Sequence, residues 1–389
     1  MTERILVVDD EPDLESLILQ RFRRRIKDGD YTFVFASNGL EALARMLEYP
    51  DIGIILSDIN MPEMDGLTLL AKLNELKNPV LRTVIVSAYG DMDNIRTAMN
   101  RGAYDFVTKP VDFTDLETTL EKTIKELGGI RHFVKEHDQL IAIRRDLETA
   151  RDIQSSILPS QFPPFPEHSE FDIFAMMEPA KEVGGDFYDF FKVGKDRVGF
   201  VIGDVSGKGV PAAIFMAVSR TLLRATALKE LPPEECLAYV NNVLAMDSKA
   251  SMFVTVFYGI LDLHTGLLAY ANGGHNPPYV VNAAGELKIV PTHRDMAVGA
   301  LPARTYHPCT LQLHEGDTLF LFTDGITEAM NAQDELYHER RLEPALVSLA
   351  GESITDMVKR IFEAVHEHAM GAEQSDDITA LAVRLFHLA

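Results

Sequence analysis

Tryptophan is absent from this sequence, cysteine occurs only twice, and no apolar run is long enough to span a membrane. Cys236 and Cys309 are far apart and have no histidine pattern beside them, which argues against a disulfide framework or a zinc site. A helix that crosses a bilayer needs about 18 or more apolar residues in a row. The first residues, MTERILVVDDEPD, enter a predicted strand directly and leave no room for a signal peptide. We therefore expect reduced thiols, no membrane contact and a cytoplasmic protein.

Positive charge is also scarce, because 37 Lys and Arg stand against 59 Asp and Glu and give a net charge of -22. Binding to nucleic acid depends on Lys and Arg that displace counterions, so this balance argues against a nucleic-acid partner. Bound metal cations could still neutralise carboxylates locally and let an acidic protein handle a phosphorylated substrate. The length of 389 residues and the apolar share of 46% fit two globular units with a connector.

Short apolar runs alternate with helical patterns between residues 5 and 127. These runs are apolar throughout, which is typical of parallel strands that helices cover on both faces. We predict an α/β doubly wound domain with a five-stranded parallel sheet and five helices. The predicted strands are ILVV, YTFVFA, IGIIL, VLRTVIVS and YDFVT.

Five polar groups stand at the carboxyl ends of these strands, where doubly wound sheets bind ligands: Asp9, Asp10, Asp58, Ser87 and Lys109. Carboxylates gathered at one edge repel each other unless a hard divalent cation bridges them, and oxygen ligands suit magnesium. Lys109 and the Ser87 hydroxyl could hold the oxygens of a phosphoryl group on Asp58. One such aspartate alone would be interpreted as a turn former or a helix cap, whereas the set favours a site.

The motifs VVDDEP, LSDINMPEMDG, VSAYG and GAYDFVTKP make residues 3–125 resemble a response-regulator receiver domain. The resemblance implies that Asp58 accepts a phosphoryl group from a cognate histidine kinase. It implies a Mg²⁺ site formed by Asp9, Asp10, Asp58 and the carbonyl of Asn60. It further assigns phosphate contacts to Ser87 and Lys109, and it places Phe106 at the switch-aromatic position.

Residues 128–160 read as a helical linker between an N-terminal domain at 1–127 and a C-terminal domain at 161–389. We expect Gly128 and Gly129 to stop the last helix of the first domain and a new helix to run to Pro159. An apolar stripe follows this helix but is broken near Asp138 and Arg144. A solvated connecting helix and a coiled coil that forms a homodimer are both open interpretations.

The C-terminal domain carries runs of predicted strands with helical patterns confined to about 209–230, 233–247 and 340–369. Strands and helices that are segregated in this way predict an α+β layered β-sandwich. The strand-like segments are FDIFAMM, DFYDFFKV, RVGFVIGD, SMFVTVFYGILD, LLAYANGG, PPYVVN, GDTLFLFTD and ITALAVRLF.

The loop GDVSGKG at 203–209 packs glycines around a lysine but lacks the spacing of a P-loop, and Gly209 stands where a P-loop has Ser or Thr. Its aspartate belongs instead to a set at predicted strand ends: Asp186, Asp204, Asp324, Asp376 and Asp377. Carboxylates without histidine or cysteine favour magnesium or manganese over zinc. Two such ions could bind a phosphate ester and activate a water.

Together with ARDIQSSILP and ANGGHNPP, these segments make residues 150–386 resemble the metal-dependent Ser/Thr protein phosphatases of the bacterial sporulation and general-stress branch. The resemblance implies that Asp204 bridges two Mn²⁺ or Mg²⁺ ions and that the carbonyl of Val205 completes one of them. It implies that Asp324 and Asp376 bind the other ion. Asp186 would act through water or an additional metal.

The loop departs from the wider superfamily, because Val205 and Ser206 follow Asp204 where many relatives have Gly and His. A histidine acid is therefore missing there, so either metal-bound water protonates the leaving group or no acid is needed. No arginine is identified as the phosphate ligand. Candidates for supporting roles around the site are Lys181, Lys208, His275 and Asp377.

A phosphorylatable domain, a helix and a catalytic domain suggest a two-component response regulator whose output is a phosphatase. The resemblance makes the expected substrate a phosphoserine or phosphothreonine of an anti-sigma-factor antagonist in a bacterial cell. The rival is a non-catalytic adaptor that binds a client protein under receiver control, which would be free to lose the metal ligands. A transcription factor would need a basic recognition helix, and this chain is acidic.

Overall fold

The computed structural model describes residues 2–88, 91–247 and 252–388. Tyr89 and Gly90 of the VSAYG motif, and Ser251 at the start of a predicted strand, lie outside these ranges. The chain divides into two compact units, Met1–Ile143 and Arg144–Ala389. Within the described ranges, none of the helices combines the length and the apolar character that a membrane crossing requires.

The N-terminal unit is built on a five-stranded parallel sheet with the strand order β2-β1-β3-β4-β5, which confirms the predicted fold class. The predicted first helix is divided at Phe22 into two shorter ones. In chain order the elements are β1 (Glu3–Val8), α1 (Pro12–Arg21), α2 (Arg23–Lys27), β2 (Tyr31–Ala36), α3 (Gly39–Glu48), β3 (Ile52–Asp58), α4 (Gly66–Glu75), β4 (Arg82–Ala88), α5 (Met92–Asn100), β5 (Asp105–Lys109) and α6 (Phe113–Ile157).

Alternate residues of the central strands point to opposite faces of this sheet. Ile5 and Val7 of β1 pack in a core with residues of α1 and α6. Leu6 and Val8 of the same strand pack in a second core with residues of α3 and α4. Both faces are therefore covered, and the carboxyl ends of the strands are left as the edge where polar groups can meet.

The prediction that Gly128 and Gly129 stop a helix is wrong, because α6 is one helix from Phe113 to Ile157. Glycine in a helix interior costs only about 1 kcal/mol relative to alanine, which packing of the flanking turns can offset. Leu116, Leu120 and Leu127 are buried in the N-terminal core. Pairing of this helix with a second copy stays a prediction.

The C-terminal unit contains two five-stranded antiparallel sheets with the orders β13-β10-β9-β8-β7 and β12-β11-β14-β15-β6. This confirms the layered β-sandwich. Its elements are β6 (Phe171–Glu178), β7 (Phe187–Lys192), β8 (Arg197–Val205), α7 (Val210–Ala227), α8 (Pro233–Asp247), β9 (Val254–Asp262), β10 (Leu267–Gly273), β11 (Tyr279–Val281), β12 (Leu287–Ile289), β13 (Cys309–Gln312), β14 (Thr318–Phe322), α9 (Asp324–Thr327), α10 (Glu339–Ser348), α11 (Ile354–His368) and β15 (Ile378–Leu385).

The core of this unit lies between the two sheets and continues beneath the helices. Leu319 and Leu321 of β14 face the other sheet, whereas Phe320 and Phe322 of the same strand face a second core that includes residues of α10 and α11. Strands β12 and β13 have no counterpart among the predicted strands. Both are short edge strands with partly exposed residues, so their sequences lack a long apolar run.

Candidate functional site

The register of the parallel sheet brings the predicted N-terminal residues together. Val8 pairs with Ser57, so Asp9 follows β1 beside Asp58 at the end of β3. Val86 pairs with Asp58, which places Ser87 one residue further along β4. Carboxylate oxygens of Asp9, Asp10 and Asp58 lie within 4.8 Å of one another.

Lys109 closes this cluster from the end of β5. Its Nζ lies 2.7 Å from Asp58 Oδ2, 2.9 Å from Asp9 Oδ2 and 3.0 Å from Glu11 Oε1. Partial burial lowers the pKa of the Lys109 ammonium, but its hydrogen bonds to the three carboxylates outweigh burial and hold the pKa above its usual range. Glu11 was not predicted as a site residue, although it lies within the VVDDEP motif.

The remaining predicted N-terminal residues surround Asp58. Ser87 is buried, and its hydroxyl has no hydrogen-bond partner among the described residues, so it is free to bind a ligand oxygen. The amides of Ile59 and Asn60 donate to Asp58 Oδ1 at 2.6 and 3.4 Å. Phe106 is 37% exposed on β5, three residues before Lys109.

Three carboxylates within ligand distance fit magnesium, which prefers oxygen ligands. Burial raises the pKa of Asp9, and the neighbouring charge of Asp58 adds to that effect. A divalent cation would relieve this repulsion. The ligand role of the Asn60 carbonyl stays a prediction.

The second predicted cluster lies in the C-terminal unit, where strands of both sheets end. Phe187 pairs with Gly203, so Asp186, just before β7, lies beside Asp204 near the end of β8. The amide of Thr323 donates to the Thr379 carbonyl at 3.0 Å, so Asp324 after β14 lies near the residues that precede β15. Those residues are Asp376 and Asp377.

Asp204 lies at the centre of this cluster. Burial, together with the negative charges of Asp324 and Asp376, raises the pKa of the Asp204 carboxyl to about 7. Burial, followed by the charges of Glu328 and Asp376, also raises the pKa of Asp324. The predicted carboxylates are therefore close enough to oppose each other's ionisation, as expected where bound cations normally balance them.

Asp186 links the two sheets. Its Oδ2 accepts hydrogen bonds from Thr323 Oγ1 at 2.7 Å and from Thr379 Oγ1 at 2.6 Å. Burial raises the pKa of Asp186 well above its usual range, and the carboxylates of Asp204 and Asp377 raise it further. Asp186 is thus held by the protein itself, and the threonines that hold it carry no motif that sequence alone would reveal.

Asp377 holds backbone next to the cluster. Its carboxylate accepts hydrogen bonds from the amides of Ala180 at 2.8 Å, Gly185 at 2.5 Å and Asp186 at 3.3 Å. A Cβ at position 325 would lie closer than 3.0 Å to the Asp377 carbonyl, so glycine is required after Asp324. The predicted supporting role of Asp377 corresponds here to positioning of the chain around Asp186.

Of the two lysine candidates, Lys208 lies against the cluster. Its Nζ is 2.9 Å from Asp376 Oδ2 and donates to the Ser375 carbonyl. Gly207 and Gly209 flank it with φ of 89° and 74°, a left-handed conformation that glycine adopts without strain. Lys181 is exposed, and the described residues include no ion pair for it.

His275 contacts the residue that pairs with Asp204, and Val205 follows Asp204 at the end of β8. Thr255 is the register partner of Asp204, and its hydroxyl hydrogen-bonds His275 Nδ1 at 2.9 Å. Burial lowers the pKa of His275 to about 4, so the ring is neutral at physiological pH. Val205 is buried and ends β8, and the metal role predicted for its carbonyl stays a prediction.

The acidic groups that act on Asp204 are carboxylates, and oxygen ligands fit magnesium or manganese better than zinc. Within the described ranges, the acids of the C-terminal unit do not form a set of three with all ligand atoms within 4.8 Å, as Asp9, Asp10 and Asp58 do. Asp376 is instead paired with Lys208. The residues therefore fit a hard divalent cation by their chemistry and their charge.

These features define a phosphoacceptor domain joined to a phosphatase-like domain, and comparisons with known families agree. Residues 5–121 match the response regulator receiver domain, and residues 194–386 match stage II sporulation protein E. The chain thus belongs to the response regulators through its N-terminal domain, and it carries a phosphatase domain of the SpoIIE type, with the PP2C fold, at its C-terminal end.

The curated relatives match different shares of the chain. Protein IcfG of Synechocystis is 34% identical over 269 residues, which are 62% of this chain and 41% of that protein. Phosphoserine phosphatase RsbU of Bacillus subtilis is 26% identical over 69% of this chain and 80% of its own length. Chemotaxis protein CheY of Listeria monocytogenes is 37% identical over 31% of this chain and 98% of its own length.

Solved structures show the same fold for the C-terminal domain. The SiaA-PP2C domain of Pseudomonas aeruginosa superposes with a TM-score of 0.57 and 23% identity, over 64% of this chain and 98% of that domain. At this identity the likeness establishes the fold, and activity has to be argued from the residues of this chain.

Proposed function

We propose that this chain is a metal-dependent protein serine/threonine phosphatase whose activity is controlled by phosphorylation of Asp58. One observation carries the proposal: the carboxylates of Asp186, Asp204, Asp324 and Asp376 meet where strands of two sheets end. Like charges gathered in a partly buried site raise the energy of ionising one another, and such perturbed groups are typical of functional sites.

We propose that the carboxylates around Asp204 bind divalent cations. Two divalent ions about 4 Å apart bind a phosphate ester, activate a water and stabilise the in-line transition state. Asp204, which lies beside Asp324 and Asp376, would hold the ions together with these two carboxylates and the Val205 carbonyl. We propose Mn²⁺ or Mg²⁺ here and Mg²⁺ in the receiver domain.

The loop after Asp204 carries no histidine that could protonate the leaving group. Ser206 stands two residues after Asp204, and its hydroxyl accepts from the Phe253 amide at 3.0 Å, so it supports the loop. His275 is buried and neutral, which makes it unsuited to deliver a proton to a substrate at the surface. We propose that solvent water protonates the leaving group.

We further propose the partners of this activity. A cognate histidine kinase supplies the phosphoryl group of Asp58 in the bacterial cytoplasm. The substrate is phosphoserine or phosphothreonine on an anti-sigma-factor antagonist, a choice supported by the resemblance to the general-stress branch and by the name of the relative RsbU. Lys109 and Ser87 would bind the phosphoryl oxygens on Asp58.

The test is hydrolysis of p-nitrophenyl phosphate by the full chain with MnCl2. We expect turnover that EDTA abolishes and that Asp204→Ala removes, because Asp204 is the carboxylate on which the charges of Asp324 and Asp376 act. Glu363→Ala changes an exposed carboxylate of α11 and is expected to leave turnover unchanged. Equal turnover in Asp204→Ala and wild type would refute the assigned site, and an inactive wild type would favour the adaptor alternative.

A further inference from the structure

Gln154 lies in the last turn of α6, inside the ARDIQSSILP segment, and it is 6% exposed. A buried side-chain amide needs partners for both its oxygen and its nitrogen. Gln154 finds both on one residue: its Nε2 donates to the Gly184 carbonyl at 2.6 Å, and its Oε1 accepts from the Gly184 amide at 3.0 Å. This arrangement fixes the position of a single backbone unit relative to the end of α6.

The backbone that Gln154 holds leads directly to the carboxylate cluster. Gly184 is followed by Gly185 and Asp186, whose amides are both held by Asp377. A Cβ at position 184 would lie closer than 3.0 Å to the Asp377 carboxylate, so the segment has no room to move towards that side. Gln154 on one side and Asp377 on the other therefore define where the Asp186 carboxylate stands.

We propose that Gln154 is a positioning residue for the phosphatase reaction, which fixes Asp186 at the carboxylate cluster and ties the end of α6 to the site. The inference rests on the proposed function. Gln154 contacts neither substrate nor reacting atoms, and it acts through Gly184. A change in the position of the last turn of α6 moves the Gly184 backbone and with it Asp186.

The first test uses Gln154→Met, which keeps the length of the side chain and removes both hydrogen bonds. Misplacement of a reacting group by about 1 Å can lower a rate by about 100-fold. We expect kcat for p-nitrophenyl phosphate to fall at least about tenfold, with KM changed less than about twofold. Ser156→Ala, on an exposed position of the same turn, is the matched control and is expected to behave as wild type.

Hydrogen–deuterium exchange gives a second measurement that is independent of activity. In Gln154→Met we expect faster exchange at the Gly184 amide, which loses its acceptor, than at Gly185, which keeps Asp377. An inactive wild type with this exchange pattern would refute the proposed phosphatase activity but not the contact between Gln154 and Gly184. An active wild type with unchanged kcat in Gln154→Met would refute the positioning role and not the phosphatase.

Gln154→Glu separates positioning from general packing. Protonated glutamic acid can donate to the Gly184 carbonyl and accept from its amide, whereas the carboxylate repels the carbonyl. We expect the turnover of Gln154→Glu relative to wild type to rise as the pH falls from about 8 to 6, since burial raises a carboxyl pKa. The same ratio for Gln154→Met should stay flat, and a flat ratio for both variants would contradict the hydrogen-bond argument.

Discussion

At the scale of single residues, Asp189 shows how strongly the C-terminal fold depends on one buried charge. This carboxylate of β7 is fully buried and is neutralised by two arginines of α7. Arg220 Nη2 lies 2.9 Å from its Oδ2, and Arg224 Nη1 lies 2.7 Å from its Oδ1. Burial raises the pKa of Asp189, and the arginines oppose that rise. The two ion pairs connect α7, which follows the GDVSGKG loop, to β7.

Asp189→Ala is expected to lower the free energy of unfolding by about 3–5 kcal/mol, because it leaves buried Arg220 without its counter-charge. Urea denaturation followed by circular dichroism measures the change. The control is Lys192→Ala, on the same strand as Asp189. It removes an exposed ion pair with Glu167 and should have little effect on stability. Equal losses in the two variants would mean that burial of the pair is not the cause.

His275 should make the stability of the C-terminal unit depend on pH. Its pKa is lowered to about 4 in the folded chain, against an ordinary value of 6.5 that applies when it is unfolded. The unfolded state therefore binds more protons between these values, and stability falls as the pH falls through this window. A pKa lowered by about 2.5 units makes the free energy of unfolding about 3 kcal/mol smaller once the pH is well below 4. About 2 kcal/mol of this loss falls between pH 7 and pH 5.

The measurement compares wild type with His275→Asn by urea denaturation at pH 7 and at pH 5, both in EDTA. Other groups titrate in both proteins, so the difference between the two pH dependences belongs to His275. Wild type should lose about 2 kcal/mol more than the variant on acidification. Identical losses would show that the ring is not buried in its neutral form.

The two carboxylate clusters were predictable from the residue types at strand ends. Asp58 and Asp204 each follow an apolar run, and this signal is local in the sequence. The partners that come from elsewhere in the fold were not predictable. Glu11 and Gln154 lie within motifs that carry the resemblance, but their contacts with Lys109 and Gly184, like that of Asp189 with Arg220, join residues that are far apart in the sequence. Lys208 was a candidate, but its pairing with Asp376 depends on how two loops meet.

At the scale of elements, α6 shows why a local stop signal can fail. Gly128 and Gly129 are exposed, and a Cβ added to either would meet no atom within 4 Å. The following turn is fastened to the sheet instead, because Arg131 Nη1 and Nη2 lie 2.7 and 2.8 Å from the Glu3 carboxylate oxygens. Sequence periodicity reports the helix itself, whereas this tertiary ion pair keeps it continuous across the glycines.

Gly128→Ala and Gly129→Ala are each expected to stabilise the chain by up to about 1 kcal/mol, because alanine favours the helix and has room there. Gly53→Ala is the contrasting variant: its Cβ would come closer than 3.0 Å to both Glu3 and Arg131 and should destabilise the chain. Thermal unfolding measures all three. Destabilisation by the two helix variants would indicate that the helix is interrupted at the glycines.

At the scale of the whole molecule, both fold classes followed from the apolar patterns, because each sheet type buries its strands in its own way. Strands β1, β3 and β4 are buried on both faces and read as continuous apolar runs. The strands of the sandwich are separated by turns with Gly, Asn and Asp, and they pair antiparallel. Edge strands and the length of α6 depend on packing at a distance, which apolar patterns do not encode.

Helix α6 begins in the N-terminal unit, shortly after the Asp58 site, and ends in the C-terminal unit. Lys109, which bonds Asp58, ends β5 four residues before α6 begins, and Gln154 in the last turn of α6 holds the backbone before Asp186. A phosphoryl group on Asp58 would compete for the Lys109 ammonium and alter its bonds to Asp9 and Glu11.

Beryllofluoride, which mimics the phosphoryl group, should change the turnover of the full chain by about fivefold or more, the range of ordinary coupling between sites. Asp58→Ala should not respond, because the phosphoryl acceptor is gone. Gln154→Met should respond less than wild type, because α6 no longer hydrogen-bonds the Gly184 backbone. Turnover of p-nitrophenyl phosphate with and without beryllofluoride measures all three proteins. A response that survives in Asp58→Ala would place the effect outside the receiver site, and a full response in Gln154→Met would require a route other than the end of α6.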